Sequence, residues 1–281
     1  MRSKRMNKKK QAGNIIAFIV LLLGAVIILI PILEMICTAL KTTEEVAAYP
    51  PSMFPKAPKW ENFPIAWSKA PFTRYTVNTL IIVAFTIIGD VISNSFVAYG
   101  FAKIHFKGND FWFRIVLATM MIPGFVTLVP TYVIFSKIHW VNTYLPLIVP
   151  QFTGNAFHIF MMRQFYKTIP NELCDAARVD GAGHFYIWSK LMLPLAKPVH
   201  ATVALIAFKA AWGDFQGPLL YLTEPAKYTI QVGLNVFKGQ GFTDWNYLMA
   251  VTCISMIPTL VLFFSFQNYF IEGMDVGGVV K

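Results

Sequence analysis

Three groups of polar residues interrupt long apolar runs in this 281-residue chain. Asp90 and Asn94 stand four apart and so share a helix face, with Asn78 well below them. Gln151, Asn155 and His158 follow at i, i+4 and i+7, again one face. Lys209, Asp214 and Gln216 gather beside Trp212. Polar groups placed among lipid-facing residues are expensive and are by default candidates for function. Amides, hydroxyls and aromatic faces suit a polar path for a neutral, hydroxyl-rich solute. The competing reading for each residue is interhelical hydrogen bonding, which is common between packed membrane helices. No second histidine lies at metal-ligand spacing from His158, and G-x-S-x-G, H-E-x-x-H and paired C-x-x-C are absent from the sequence. A membrane-embedded enzyme therefore lacks its nucleophile–base or metal constellation.

These residues need spanning elements to hold them. Hydrophobic residues make up 56% of the chain and charged residues 14%, against about 25% charged in a soluble domain, and mean hydropathy is +0.54. The composition is that of a polytopic membrane protein. Net charge is +10, but the basic residues flank apolar spans rather than forming an aromatic-interleaved stripe, so no nucleic-acid partner is indicated. Cys37, Cys174 and Cys253 form no C-x-x-C pair and read as packing residues.

A membrane helix needs about 20 mostly apolar residues. Six segments meet that need: about Asn14–Cys37, Thr73–Ala102, Phe111–Phe135, Tyr144–Phe165, Val199–Leu222 and Tyr247–Ile271. The first follows the basic leader MRSKRMNKKK, but its apolar run outlasts a signal-peptide core and no A-x-A site follows, so it reads as a retained helix. With the N-terminus inside, fifteen of the 24 Lys and Arg fall on the inner side and eight on the outer, which places both termini in the cytoplasm. The outer loop holds YPPSMFPKAPKWENFP and reads as an ordered, extended strap. Pro123-Gly124, Pro130, Pro146, Pro150, Gly154 and Gly217-Pro218 fall within spans three to five, where kinks or breaks can line a cavity. The chain divides into 1–73 (leader, first helix and outer loop), a core of five helices over 74–271, and a tail over 272–281.

Between the fourth and fifth spans lies a charged insert, NELCDAARVDGAGHFYIWSKLMLPLAKP, Asn171–Pro198. Pro170 fits a first helical turn, and Glu172 and Asp175 suit the positive end of a helix dipole. Leu173, Ala176 and Ala177 fall on one small apolar face, and Gly181 is placed to end the helix with positive φ. A second segment, about His184–Met192, puts Phe185, Trp188 and Met192 on one side. Two short helices joined at a glycine hinge follow, and their apolar face can meet either protein or the membrane surface.

The register IPNELCDAARVDGAGHFYIWSKLMLPLAKP resembles the cytoplasmic EAA loop of ATP-binding-cassette importer permeases, whose pattern is close to IP-x-E-L-x-EAA-x-x-DGA followed by LP-L-x-x-P. Asp175, Ala176 and Ala177 match the EAA, with Asp175 where the family usually has Glu, and Asp180, Gly181 and Ala182 match the DGA. AAWGDFQGPLLYL is similar to the family's A-W-N-[DE]-F-x-x-P-L stretch, with Gly213 in place of Asn. The C-terminal portion resembles the carbohydrate-uptake, maltose-type (MalG-like) branch.

The resemblance implies a type I importer permease fold: an all-α membrane protein of six transmembrane helices in a bacterial-type plasma membrane. It implies a second homologous permease subunit, an ATP-binding-cassette ATPase dimer that binds ATP and Mg, and an extracytoplasmic solute-binding protein delivering a sugar or oligosaccharide. Coupling to the ATPase is then expected through the loop at 167–198, with Glu172 joining the EAA and DGA residues, and through the tail residues Gly278, Val279, Val280 and Lys281. The chain itself has no G-x-x-x-x-G-K-[ST] and so cannot cradle ATP by that device; the resemblance implies a non-catalytic subunit with no cofactor of its own. Asp90, Asn94, Gln151, Asn155, His158, Trp212 and Asp214 are the candidate pathway residues. The alternative is an ion-coupled secondary transporter using Asp90, Lys209 or Asp214, which would usually show internal repeats; none is evident between the halves.

Overall fold

The computed structural model describes residues 2–239 and 242–275, with side chains for 13–239 and 242–267. The helices run α1 (Arg2–Ala39), α2 (Thr43–Ala47), α3 (Asn62–Ser68), α4 (Phe72–Lys103), α5 (Asn109–Thr119), α6 (Gly124–Lys137), α7 (Leu145–Ile148) and α8 (Ala156–Thr168). They continue through α9 (Asn171–Val179), α10 (His184–Tyr186), α11 (Leu193–Leu195), α12 (Lys197–Trp212), α13 (Gln216–Tyr221), α14 (Ile230–Gly233) and α15 (Trp245–Asp275). A 3₁₀ turn covers Val149–Phe152 and a π-helical turn covers Ile187–Met192. Extended pairing among the described residues is confined to one bridge between Lys238 and Thr243.

Three stretches are long and apolar enough alone to cross a membrane: Gly13–Ala39, Phe72–Lys103 and Trp245–Gln267. The other expected spans are broken. Helices α5 and α6 qualify only as a pair bent by 90°, because Pro123 takes extended geometry (φ −62°, ψ 132°) ahead of α6. Tyr144–Phe165 is not one helix but α7, the 3₁₀ turn and α8. Pro146 and Pro150 bring no backbone donors there, and Gly154 turns the chain at φ +98°. Val199–Leu222 divides after Trp212 into α12 and α13, and α12 is bent 82° from His184–Leu195 before it. By length and composition the described helices thus give three spans, or five with each bent pair counted once, where six spans with breaks in the third to fifth were expected.

The chain forms two compact units. The first comprises 1–70 and 234–256. The apolar stretch of α1 is exposed on every side, Leu21 and Ile28 among others, a surface that lipid hydrocarbon or another membrane helix can cover. The loop between α1 and α4 is tied by side chains. Asn62 Nδ2 donates to the carbonyls of Ala39 and Lys41, both at 2.8 Å, and Lys41 Nζ donates to the Ser52 carbonyl. Thr42 and Glu45 form a reciprocal capping box at the start of α2, at 3.1 and 3.2 Å. The expected extended strap therefore carries two short helices, α2 and α3.

The second unit comprises 71–233 and 257–281. Helix α4 is its axis, with α8 and α12 packed along it. Tyr99, Met162, Tyr166, Ile187, Met192 and Val203 are fully buried in the core they share. Gly89 permits the 3₁₀ turn to approach α4, since a Cβ there would stand 2.6 Å from ring carbons of Phe152.

Candidate functional site

Two features of the second unit gather the sequence-selected residues: a polar cavity beside α4, and the insert at the base of α4 and α8.

The cavity has a volume of about 280 Å³. Asp90 from α4, Gln151 from the 3₁₀ turn, Asn155 and His158 from the start of α8, and Asp214 from the α12–α13 break all line it. Asp90 and His158 are both buried, and His158 Nδ1 donates to the two Asp90 carboxylate oxygens at 2.8 and 2.9 Å. Asn94 Nδ2 donates to Asp90 as well, to Oδ1 and to the backbone carbonyl. A buried carboxylate needs such partners, because an unpaired charge there is strongly destabilising. Asp214 is oriented by the Gly217 N–H, which donates to it at 3.0 Å.

Two candidates do other work. Asn94 is fully buried and lies behind the cavity wall; its Oδ1 accepts from the Asn155 N–H at 2.6 Å, fixing the turn into α8. Trp212 is buried, stacks on Phe208 with ring centres 5.6 Å apart, and accepts at its carbonyl from Gln231 Nε2; it is not part of the lining. Asn155 has a double position. It lines the cavity, yet its Oδ1 caps α8 by accepting from the N–H groups of Phe157 and His158, at 3.0 and 3.3 Å. Asn78 ties the loop beyond α13 by donating to the carbonyls of Ala226 and Tyr228, each at 3.0 Å. Lys209 is exposed and outside the lining. Thr86 and Thr229 complete the polar wall. Neither was singled out from sequence: Thr86 is one polar residue among many apolar ones, and Thr229 sits in a connection with no periodicity.

The insert folds as two helical pieces around a glycine. Helix α9 starts after Pro170, which occupies the cap position rather than the first turn (φ −55°, ψ 139°). It ends at Gly181, with φ +84°. The N–H groups of Asp180, Gly181 and Ala182 donate to the carbonyls of Ala176, Arg178 and Ala177, closing the last turn. The inward face of α9 centres on Cys174, with Ala177 half-buried beside it. Leu173 and Ala176, expected on one apolar face with Ala177, are exposed instead. Together with Glu172, Asp175, Val179 and Asp180 they make an outward surface of apolar and acidic residues. Asp175 pairs there with Arg178 at 2.6 Å. In the second piece Trp188 and Met192 are buried but Phe185 is 68% exposed. Phe185 nonetheless lies against Trp188, with ring centres 5.4 Å apart, and extends that side out to the surface. Burial pushes the Cys174 thiol up, so it stays protonated and inert.

Anchoring of the insert is polar as well as apolar. Lys103 Nζ, at the end of α4, donates to the Ile169 carbonyl at 2.5 Å and to Asn171 Oδ1 at 2.7 Å. Arg178 returns a bond to the Lys103 carbonyl at 3.3 Å. Tyr99 OH and His184 Nδ1 lie 3.0 Å apart. Trp188 Nε1 donates to Ser95 Oγ at 2.9 Å; Ser95 Oγ meets Tyr166 OH at 2.7 Å, and Tyr166 OH meets His200 Nε2 at 2.8 Å. One chain of hydrogen bonds thus joins the insert to α4, α8 and α12. Gly278, Val279, Val280 and Lys281 lie outside the described residues.

A helical subunit with a polar cavity and a firmly anchored helical insert is compatible with a transport permease. The comparisons with known proteins agree. The chain matches the model of the "Binding-protein-dependent transport system inner membrane component" family over residues 94–276, and it belongs to that family. It is similar to the probable ABC transporter permease protein YurM of Bacillus subtilis, 30% identical over 273 residues covering 97% of this chain and 90% of that protein. It is also similar to the melibiose/raffinose/stachyose import permease protein MelC of Bacillus subtilis, 30% identical over 93% of this chain and 96% of the relative. The fold matches a chain in the crystal structure of a bacterial ABC transporter that imports the acidic polysaccharide alginate, with TM-score 0.81 over 92% of this chain and 97% of that one, at 21% identity. The chain is a multi-pass transport subunit of the ABC importer class in the bacterial plasma membrane.

Proposed function

We propose that this permease subunit forms half of the translocation pathway of an ATP-driven importer for a sugar or oligosaccharide. The sugar class is supported by relatives such as the melibiose/raffinose/stachyose import permease. A second, homologous permease supplies the other half, and an extracytoplasmic solute-binding protein delivers the solute. A cytoplasmic ATPase dimer holds ATP and Mg²⁺, and this chain contributes no cofactor. The observation that carries the reading is the two-sidedness of the insert: its inner side is bonded to three long helices, and its outer side presents Glu172, Asp175, Ala176, Val179 and Asp180 to solvent.

In this reading the ATPase docks on that outer side, around the glycine hinge of Gly181 and Ala182. Closure of the ATPase dimer moves the docked insert, and the Trp188–Ser95–Tyr166–His200 chain passes the movement to α4, α8 and α12. The cavity lined by Asp90, Gln151, Asn155, His158 and Asp214 is the stretch of pathway those helices open and close. The ATPase biases the permease only through a difference in binding to its two states. Moving a population from 1:99 to 99:1 takes about 5.5 kcal/mol, more than grazing contact supplies. The tail residues Gly278, Val279, Val280 and Lys281 are proposed as a second contact with the ATPase.

Reconstitution in proteoliposomes with the second permease, the ATPase and the binding protein tests this. Sugar uptake is expected only with all four components and internal or external ATP on the ATPase side. Uptake driven by an ion gradient in the absence of the ATPase refutes the proposal.

A further inference from the structure

Thr229 lies in the short connection between α13 and α14 and is buried to 2% exposure. Its hydroxyl oxygen has no hydrogen-bond partner among the described residues, although Thr229 lines the polar cavity. Its neighbours are pinned: the Ile230 N–H donates to Thr79 Oγ1 at 3.0 Å, and the Tyr228 carbonyl accepts from Asn78 Nδ2 at 3.0 Å. The hydroxyl therefore has no easy route to solvent. Buried polar atoms are nearly always satisfied, and an orphan requires an explanation. The oxygen itself is closed off even from the cavity, so it finds a partner there only when the side chain turns toward that space.

That space has a polar side and an apolar side. Asp214 and the Asp90–His158 pair supply acceptors and a ring nitrogen. Ala207, Ala210 and Ala211 of α12 supply a flat, small-residue wall. Apolar walls with a few fixed polar groups are the usual make-up of a ligand site, and about 280 Å³ is near the lower end of such pockets. One small ring with hydroxyls on its edge and C–H groups on its face fits this division.

The charge balance narrows the ligand further. Asp90 and Asp214 are the carboxylates of the lining, His158 is its one basic side chain, and the lining includes no Lys or Arg. Carboxyl groups outnumber basic ones in the lining, so an anion in the same space meets like charge at low dielectric.

We propose that the cavity is a subsite for one neutral glycosyl ring, with Thr229 as a hydroxyl contact and Asp214 as both a hydroxyl acceptor and the group that rejects uronate or phosphorylated rings. The proposal rests on the transport reading and deepens it, since it gives this subunit direct contact with the cargo and a choice between neutral and acidic sugars. A site that hydrogen-bonds a substrate hydroxyl discriminates strongly against an analogue lacking it, because the site's own buried groups are then left unpaired.

The test uses matched single-ring probes, methyl α-galactoside with methyl α-galacturonate and methyl α-glucoside with methyl α-glucuronate. Saturation-transfer NMR is recorded on the full chain paired with its second permease in nanodiscs. At least one neutral glycoside is expected to bind tenfold or more tightly than its uronate. Thr229→Val is expected to weaken that binding about tenfold and Thr229→Ser to restore it. Asp214→Asn is expected to narrow the neutral-to-uronate ratio to below threefold. No binding of either neutral glycoside, equal binding of a neutral ring and its uronate, or a ratio untouched by Asp214→Asn overturns the subsite. ATP-dependent uptake by the complete complex is measured in parallel. Intact uptake with no discrimination overturns the subsite alone, whereas absent uptake with ring binding intact overturns the transport reading alone.

Discussion

Gly181 offers the sharpest separation between backbone and side-chain effects. Its φ is +84°, and a Cβ built there would find nothing within 4 Å. A substitution in the free subunit therefore meets strain but no clash. An ordinary L-residue in the left-handed region costs about 1–2 kcal/mol, and strained backbone positions in general cost up to about 3 kcal/mol. Asn, which visits the region with local hydrogen bonding, costs least, and β-branched Val costs most. If docking requires the closed turn at Ala177–Ala182, apparent affinity for the ATPase falls with the fraction of chains that keep it. At tenfold per 1.4 kcal/mol, Gly181→Ala loses about 5- to 30-fold and Gly181→Val about 100-fold. Gly181→Asn loses less than Ala despite its greater bulk. The assay is equilibrium binding of the labelled ATPase to the permease pair in nanodiscs, with uptake measured in the same preparations and membrane insertion checked. Val is expected to abolish uptake while insertion survives. An order that follows volume, with Asn worse than Ala, would refute the strain argument and point to occlusion of the docked face. Normal uptake by Gly181→Val would sink the coupling role itself.

Trp188→Phe keeps an aromatic ring beside Phe96 but removes the donor to Ser95. The loss of one buried hydrogen bond and some packing is expected to lower stability by about 1–3 kcal/mol, seen in thermal unfolding of the complex, and to lower the sugar moved per ATP hydrolysed; an unchanged ratio would detach the anchor from coupling. Val179 is 88% exposed on the outer side of α9, whereas Cys174 is 1% exposed with its thiol pushed up by burial. In Val179→Cys, maleimide labelling at position 179 is expected to outpace Cys174 by more than tenfold and to slow when the ATPase dimer is added. Labelling that ignores the ATPase would place the docking surface elsewhere.

Helical spacing alone brought together most of the cavity. Asp90 sits where a continuous α4 puts it, and Asn155 and His158 sit on the first turn of α8. Gln151 reaches the same cavity for a reason that periodicity does not contain, since it belongs to the 3₁₀ turn and is joined to α8 through the positive-φ Gly154. Asn94 shares a face with Asp90 as spacing requires, but its three hydrogen bonds face the turn and the carboxylate, so proximity on a helix did not reveal its structural task. The insert shows the same limit. Gly181 was legible because few residue types accept its backbone angle. The buried face of α9 was misjudged because Cys174, a small semi-apolar residue, outcompetes Leu173 for the interior. Phe185 does lie against Trp188 as the spacing groups them, but it stays exposed where Trp188 and Met192 are buried. Thr229 was illegible because its importance arises from a contact it lacks.

The hydrogen-bond chain from Trp188 to His200 also has a polarity. An indole N–H can only donate, so Ser95 Oγ accepts from Trp188. Every hydrogen stays within the chain when Ser95 then donates to Tyr166 and Tyr166 donates to His200 Nε2. That arrangement assigns His200 the tautomer with its proton on Nδ1. A proton arriving at Nε2 would turn the Tyr166 hydroxyl around, and Ser95 would lose the acceptor for its own hydrogen. Three hydroxyl and ring orientations on three helices are thus a single variable, read at one end by a histidine and set at the other by an indole.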